Sequence, residues 1–307
     1  MDNLIEAIKQ LKKEKNAIIL GHYYQKGEIQ DIADYVGDSL ALAQWAARTE
    51  ADIIVMCGET AKVLCPDKKV LVPDMAAGCS LADSCPADKF SQFVKEHPGY
   101  TVISYVNTTA AVKAVTDVVV TSTNAKQIVE SFPKDEKIIF GPDRNLGNYI
   151  NSITGRNMLL WDGACHVHEE FSVEKIVEIK RQHPDAVVLA HPECKSTVLK
   201  LADVVGSTAA LLKYAVAHPE KSYIVATESG ILHEMQKQCP QTTFIPAPPN
   251  DSTCACNECS YMRLNTLEKL YDCLKNESPE IKVDAEIAEK AVKPIKRMLE
   301  ISAQLGL

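Results

Sequence analysis

Residues 87–98, 173–184 and 267–279 read ADKFSQFVKEHP, VEKIVEIKRQHP and LEKLYDCLKNESP, and these three stretches decide the fold. Each reads as an amphipathic helix, each is closed by a proline, and each carries its first lysine ten residues after a cysteine. The three cysteines are Cys79, Cys165 and Cys259. Similar stretches at a near-constant interval, with one thiol each, predict three repeats that fold alike.

A short apolar strand follows the helix that opens each unit. The helix at the start of the chain, LIEAIKQL, leads into AIIL at 17–20, and the same order recurs with TVIS at 101–104 and AVVL at 186–189. Short runs rich in β-branched residues are typical of parallel strands that are buried on both faces. The pattern therefore favours alternating helices and strands over an all-helical chain.

The strands after these set the predicted fold class. We interpret DIIV from Asp52, DVVVT from Asp117 and DVV from Asp203 as the next strand of each unit, which makes the first unit only an approximate match to the others. Helices and strands that alternate through short connections predict parallel sheets with right-handed crossovers. We therefore expect an α/β protein of three α/β/α domains, related by a pseudo-threefold axis, with small parallel sheets around a central site.

The predicted domains divide the chain into nearly equal thirds. They are residues 1–85, 86–170 and 171–265, and C-terminal helices within 266–307 complete the first domain. The last helix is expected from about residue 285 to 305, with a kink at Pro294, and is expected to pack on the first domain.

Composition and charge exclude several classes of protein. The chain has 307 residues, 46% of them hydrophobic, and 33 basic against 41 acidic side chains give a net charge of −8. Without a basic run, nucleic-acid and anionic-membrane roles have no electrostatic support. No apolar run is long enough to cross a bilayer, and the N-terminal MDNLIEAIKQLKKEKN resembles neither a signal nor a transit peptide. A cytoplasmic location is expected.

Eleven cysteines in a reducing compartment are expected to be free thiols or metal ligands, because an odd number argues against a disulfide framework. We interpret the repeated Cys79, Cys165 and Cys259 as metal ligands that converge on the pseudo-threefold axis and leave one position open. Soft thiolates favour either an iron–sulfur cluster or zinc. Cys254 and Cys256 have no counterparts in the other units and are interpreted as spectators or redox-sensitive neighbours. The remaining cysteines are interpreted as small buried hydrophobes: Cys57, Cys65, Cys85, Cys194, Cys239 and Cys273.

Polar side chains follow the first strand of each unit, where ligands of α/β sheets collect. The three sets are His22-Tyr23-Tyr24, Tyr105-Val106-Asn107 and His191-Pro192-Glu193. His191 and Glu193 can transfer protons, Tyr24 and Tyr105 can donate hydrogen bonds, and Asn107 can bind a carboxylate or carbonyl oxygen.

Hydroxyl residues after the next strands suggest anion sites. Ser122, and Ser207 with Thr208, precede predicted helices, and Ser39 has a similar context. Hydroxyls and free N–H groups at a helix start can bind anions, although simple helix capping remains open. His168, three residues after Cys165, either faces the site or starts a solvated helix.

Eleven motifs in order along residues 20–263 resemble the quinolinate synthase family. They are GHYYQ, GETAKVL, PDKKVLVPD, AAGCSLAD, SYVNTTAAVKA, TSTNA, GPDRNLG, WDGACHVHE, HPEC, GSTAALL and CNECSYM. The resemblance implies three α/β/α domains around a [4Fe-4S] cluster that is held by Cys79, Cys165 and Cys259. It also implies condensation of iminoaspartate with dihydroxyacetone phosphate to quinolinate, phosphate and water, with the open iron acting as a Lewis acid.

The resemblance also implies roles for individual residues. Glu193 would be the general base, with His191 and Tyr24 moving protons, and Tyr105 completes the catalytic set. The implied substrate-binding residues are His22, Ser39, Asn107, Ser122, Ser207, Thr208 and His168. An L-aspartate oxidase or an aspartate dehydrogenase would supply the unstable iminoaspartate, and no nucleic acid or membrane partner is expected.

Two alternatives remain at this stage. One is another [4Fe-4S] hydro-lyase that acts on a small diacid. The other is a non-enzymatic redox or zinc sensor built on residues 254–259, where three cysteines occur within six residues.

Overall fold

Twelve strands in the computed structural model, which describes residues 2–55, 58–251 and 257–307, form three separate four-stranded sheets. Every paired strand in these sheets is parallel. Each sheet places its strands in the same order, which is second, first, third, fourth along the chain. The predicted α/β class with three small parallel sheets is confirmed, whereas the boundaries at 85, 170 and 265 stay predictions.

The first unit alternates helices and strands, and Cys79 precedes its last helix. Its elements are α1 Asp2–Glu14, β1 Ala17–His22, α2 Gly27–Ile32, β2 Tyr35–Gly37, α3 Ser39–Arg48, β3 Ile53–Val55, α4 Gly58–Leu64, β4 Lys69–Leu71 and α5 Ser80–Asp83.

The second and third units repeat this order. The second contains α6 Ala87–Glu96, β5 Thr101–Tyr105, α7 Ala110–Lys113, β6 Val118–Val120, α8 Ala125–Glu130, β7 Ile138–Gly141, α9 Arg144–Thr154, β8 Leu159–Leu160 and α10 His166–Glu169. The third contains α11 Val173–Gln182, β9 Val187–Ala190, α12 Ser196–Leu199, β10 Val204–Val205, α13 Thr208–Ala217, β11 Tyr223–Ala226, α14 Ile231–Gln238 and β12 Phe244–Pro246. The 3₁₀ helix Met262–Leu264, α15 Leu267–Asn276 and α16 Ala285–Gln304 follow.

The structure corrects the predicted strand register of the first unit. The residues of DIIV form β3, the third strand, and the second strand is β2, which pairs with β1. The sequence does not predict this strand because its residues, YVG, lack the run of valines that marks the equivalent strands β6 and β10. The first unit is therefore a closer match to the others than the sequence indicated.

A repeated aspartate marks the corrected register. Asp34, Asp117 and Asp203 each precede the second strand of their sheet, and each accepts the backbone N–H of the residue fifteen positions earlier, at 2.7, 2.7 and 2.8 Å. The N–H group of each aspartate returns a hydrogen bond of 2.9 Å to the carbonyl of that same residue. These paired bonds tie the first strand to the start of the second in every unit.

Helices cover both faces of the buried strands, and the C-terminal helices join two units. Helix α15 packs on α1, whereas α16 packs on α7 and β6 of the second unit as well as on α4. Ala291, Ile295 and Met298 of α16 are completely buried there. Burying a side chain such as Ile295 contributes about 1.5–3 kcal/mol. The expectation that the last helix packs on the first unit was thus incomplete, because its apolar face also covers β6.

The last helix continues through the buried Pro294 to Gln304. Among the helices of the described residues, none combines the length and apolarity that crossing a membrane would require.

Candidate active site

The carboxyl ends of the three sheets surround one cavity with an empty volume of about 770 Å³, part of which is open to solvent. Because the first and second strands of each unit end here, their terminal side chains meet although they are far apart in sequence. The predicted residues that line the cavity are Cys79, Cys165, Cys259, His22, Tyr24, Ser39, Tyr105, Asn107, Ser122, His168, His191, Glu193 and Thr208.

Ser207 alone among the predicted residues is absent from the lining. Its hydroxyl caps α13 by accepting the N–H of Ala210 at 3.3 Å, so the capping interpretation describes it. The neighbouring Thr208 lines the cavity, so the predicted serine and threonine residues in its wall come one from each unit: Ser39, Ser122 and Thr208.

The three repeated cysteines stand at the start of short helical turns. Cys79 and Cys165 occupy the N-cap positions of α5 and α10, and Cys259 lies just before the 3₁₀ helix. Burial raises the pKa of all three thiols, that of Cys259 to about 11. Gathering them as thiolates therefore requires a cationic partner, which a metal centre supplies.

Glu193 lies beside two histidines in the wall of the cavity. His168 Nδ1 is 3.1 Å from Glu193 Oε2, outside the direction of a hydrogen bond, and His191 Nδ1 is 3.8 Å from Glu193 Oε1. The two imidazole rings stack with centroids 4.7 Å apart. This arrangement places a buried carboxylate beside two nitrogen bases.

Burial and neighbouring charges shift the pKa values of the groups in the cavity and so set their charges. Burial lowers the pKa of His191 to about 3 and that of His22 to about 4, so both rings are neutral near pH 7. Burial alone would raise the pKa of Glu193, but the nearby His191 and His168 outweigh it and lower the pKa of this carboxyl. Glu193 is thus the ionised group of the cluster.

Contacts between units close a ring around the cavity. The Tyr24 hydroxyl, from the first unit, hydrogen-bonds Thr208 Oγ1 of the third at 2.8 Å. His191 Nε2 of the third unit contacts Ser122 Oγ of the second at 3.2 Å. Thr123 Oγ1, next to it, donates to Asp38 Oδ2 of the first unit at 2.6 Å. Each unit therefore touches the next through strand-end residues.

Thr227 is a site residue that the sequence did not suggest. Its hydroxyl lies 3.0 Å from both the Tyr24 hydroxyl and His168 Nε2, and so links the two. Because the three residues come from different units and lie far apart in the sequence, no local pattern marks Thr227.

A buried lysine supports the loop that carries Asn107. Asn107 Nδ2 donates to Cys79 Sγ at 3.6 Å. Lys113, 1% exposed, donates to the carbonyl of Val106 at 2.8 Å and also to the carbonyl and hydroxyl of Thr108. Its ammonium group therefore binds the backbone on both sides of Asn107. Burial lowers the pKa of Lys113 to about 8.

Two buried carboxyls, Asp143 and Glu228, also went unassigned, although GPD and ATE at the ends of their strands were visible in the sequence. Burial raises the pKa of Asp143, and it raises the pKa of Glu228 to about 7. Arg263 opposes the rise in the pKa of Glu228. The backbone N–H groups that donate to the two carboxyls oppose the rise in both pKa values.

Two overlapping sets of side chains could hold a metal. One is the cysteine trio, which lines the cavity from three units. The other is Cys165 with His168 and Glu193, whose ligand atoms lie within 4.8 Å of one another. Cys57, Cys254 and Cys256 lie outside the described residues, so the sensor hypothesis on residues 254–259 gains no structural account beyond Cys259.

Comparisons with known proteins show the family of the chain. Residues 6–300 match the family model described as "Quinolinate synthetase A protein" (NadA). A protein of Microcystis aeruginosa named quinolinate synthase is 56% identical over 306 residues, which cover 98% of this chain and 96% of that protein. Proteins of the same name from Chloroherpeton thalassium and Trichodesmium erythraeum are 55% and 56% identical, over 98% of this chain and 95% and 94% of their own lengths. The chain therefore belongs to the quinolinate synthase family.

Proposed function

We propose that this chain is a quinolinate synthase, an enzyme that condenses iminoaspartate with dihydroxyacetone phosphate. The products are quinolinate, phosphate and two waters, which balance the atoms of both substrates. The observation that carries the proposal is the cavity itself, because three cysteines from three units line it together with an ionised carboxylate, two neutral imidazoles and two phenols. Family membership supports the same reaction.

The residues present fit a [4Fe-4S] cluster with one open iron. Three soft sulfur donors line one cavity, and the other described cysteines lie outside its lining: Cys65, Cys85, Cys194, Cys239 and Cys273. A bound cluster with one iron that lacks a cysteine ligand would supply a Lewis acid for a substrate oxygen. Cys79, Cys165 and Cys259 are the proposed ligands.

Glu193 is the proposed general base. Its ionised carboxylate can accept a proton from substrate carbon during the tautomerisation that precedes ring closure. His191 is neutral and close to this carboxylate, so it can relay the proton towards Ser122 Oγ. Burial keeps the phenols of Tyr24 and Tyr105 protonated, because it raises the pKa of both. They therefore act as hydrogen-bond donors to substrate oxygens.

Hydroxyl, amide and imidazole groups are proposed to bind the anionic ends of the substrates. Among the described lining residues there is no lysine or arginine, so carboxylate and phosphate oxygens meet hydroxyl, amide and imidazole groups. Ser39, Ser122 and Thr208 supply one hydroxyl from each unit. The Asn107 amide, His22 and His168 complete this proposed binding set.

We further propose a cytoplasmic location and a supply of iminoaspartate from an L-aspartate oxidase or an aspartate dehydrogenase. The imine hydrolyses in water, which makes an enzyme that generates it in the same compartment necessary.

The test is an anaerobic assay of the iron-loaded protein with both substrates. Quinolinate, detected by its ultraviolet absorbance and mass, is the expected product. Glu193→Gln should retain the iron and sulfide of the parent and lose at least about a hundredfold in turnover, as expected for removal of a general base. Glu174→Gln, an exposed carboxylate on α11, serves as the control.

Two outcomes would contradict the proposal. An iron-loaded parent that forms no pyridine dicarboxylate would exclude the synthase and leave the hydro-lyase alternative. A Glu193→Gln protein that lacks iron would assign that residue to cluster binding rather than to proton transfer.

A further inference from the structure

Asp143 and Glu228 occupy the same place in the second and third units. Each lies two residues after the third strand of its sheet, since β7 ends at Gly141 and β11 ends at Ala226. Both side chains are completely buried, with 0% exposure. A completely buried carboxyl is uncommon without a specific set of partners, so its contacts indicate its role.

Both carboxyls bind the backbone of a proposed ligand. Cys165 donates its N–H to Asp143 Oδ2 at 3.2 Å, and Cys259 donates its N–H to Glu228 Oε1 at 3.0 Å. The sequence separations are 22 and 31 residues, so the two contacts are not a by-product of one local turn. The same contact has formed across loops of different length.

A second hydrogen bond accompanies each of these contacts. Arg144, which follows Asp143, donates its N–H to the carbonyl of Gly163 at 2.8 Å. Ser229, which follows Glu228, donates its N–H to the carbonyl of Asn257 at 2.9 Å. Gly163 and Asn257 each lie two residues before the cysteine. Each cysteine loop is therefore held at two points by consecutive residues of the strand end.

The remaining carboxyl oxygens are also used. Asp143 Oδ1 accepts the N–H of Leu146 at 2.7 Å and caps α9. Glu228 Oε2 accepts the N–H of Gly230 at 2.6 Å, and Arg263 donates to Oε1 at 3.0 Å. Because both oxygens of each carboxyl accept N–H groups, an amide in its place must turn an NH₂ towards one of those donors.

Cys79 is held differently. The corresponding position of the first unit is 57, outside the described residues, and within the described part of the chain no carboxylate accepts the N–H of Cys79. Its sulfur instead accepts from the Asn107 amide of the second unit. The carboxyl contacts therefore distinguish two of the three cysteines.

We propose that Asp143 and Glu228 are positioning residues that fix the Cys165 and Cys259 loops for cluster assembly and retention. The inference rests on the proposed cluster function. Each carboxyl acts through the backbone of the cysteine, so the loop is ordered by folding rather than by metal binding. Loss of a contact lets that one cysteine leave the iron more often, while the other two ligands keep their surroundings.

The test compares Asp143→Asn and Glu228→Gln with matched controls. Asp162→Asn and Glu258→Gln make the same chemical change at exposed acids beside the same two cysteines, since Asp162 is 91% exposed and Glu258 42%. The iron-loaded proteins are treated anaerobically with a chelator and excess iodoacetamide. Iron release is followed by absorbance, and alkylation of each cysteine is followed by peptide mass spectrometry.

Iron release should be at least about tenfold faster in both variants, because the amide leaves a buried backbone N–H without an acceptor. Cys165 should be alkylated first in Asp143→Asn, and Cys259 should be alkylated first in Glu228→Gln. Both controls should follow the parent. Release rates within about twofold of the parent, or equal loosening of both cysteines in either variant, would overturn the proposal.

Two further arms keep the outcomes distinct. Asp143→Glu and Glu228→Asp retain a carboxyl, so their rates of iron release should fall between those of the parent and of the amide variant. If an amide variant fails to fold, these two variants provide the test. Parent-like iron release in them would then overturn the inference. A parent protein that holds no iron would overturn the proposed function. Alkylation of the metal-free chains would then still test whether each carboxyl restrains its own cysteine.

Discussion

The first unit and the other two share one repeated contact and differ in another. Asp34, Asp117 and Asp203 bind the first strand in all three sheets in the same way. The carboxyls that bind a cysteine loop, Asp143 and Glu228, are seen only in the second and third units of the described chain. The contact common to all three serves the sheet, whereas the contact found in two serves the site.

The difference shows how a repeat protein builds an asymmetric site. Three identical units would place the same side chains at three equivalent positions of the site, but two chemically different substrates need different binding residues. Here the strand ends have diverged to a tyrosine with a histidine, a tyrosine with an amide, and a histidine with a carboxylate. The anchoring of the cysteines has diverged with them, because Cys79 is contacted from a neighbouring unit by Asn107.

Replacing the cysteines one at a time gives the largest expected effect. Cys79→Ala, Cys165→Ala and Cys259→Ala should each reduce iron from about four per chain to nearly none, because two thiolates and an open edge do not retain a cubane cluster. Iron and sulfide quantification measures this. Cys85→Ala and Cys273→Ala, at buried positions outside the cavity, are the controls. Full metal in the Cys79 and Cys165 variants, with loss in Cys254→Ala, would favour the sensor alternative.

The next largest effect is expected at Lys113, the buried lysine that binds the backbone beside Asn107. Burial lowers its pKa from 10.5 to about 8, so the folded chain releases the proton before the unfolded chain does. Between pH 8 and 10.5 the unfolded state binds more protons, and the free energy of unfolding should rise with pH by up to about 3 kcal/mol from this group. Below pH 8 the lysine is charged in both states, and the full cost of burying that charge reduces the free energy of unfolding.

The measurement is chemical denaturation of the parent and Lys113→Met across this range. The difference in unfolding free energy, parent minus variant, should increase between pH 8 and 10.5. Lys126→Met, at a half-exposed position, should show no such increase. A constant difference for Lys113→Met would mean that the lysine titrates as it does in solvent.

The smallest effect is expected for the contact common to the three sheets. Asp117→Asn removes a charge-assisted bond to the N–H of Val102 and should lower the free energy of unfolding by about 1–2 kcal/mol, without altering iron content. Asp135→Asn, an exposed acid of the same unit, should cost about 0–0.5 kcal/mol. Iron loss in Asp117→Asn would contradict the division between sheet and site contacts.

Local pattern predicted much of this protein. The ten-residue offset from cysteine to lysine identified Cys79, Cys165 and Cys259, which line one cavity. Strand-end position and the family resemblance together predicted eleven other site residues, and ten of them line this cavity. The misses have physical causes. Strand β2 lacks the run of valines that marks β6 and β10, and the hydroxyl of Ser207 caps a helix instead of facing the cavity.

By itself, the sequence determined the units, their parallel sheets and the residue types at the strand ends, because periodicity and turn chemistry are properties of neighbouring residues. Only the tertiary structure decided that Tyr24 meets Thr208 and Thr227, that Lys113 holds the Asn107 loop, and that Asp143 and Glu228 bind the loops of two cysteines. These contacts join different strands and units, and burial gives them their strength, since a polar group removed from water must find its partner within the protein.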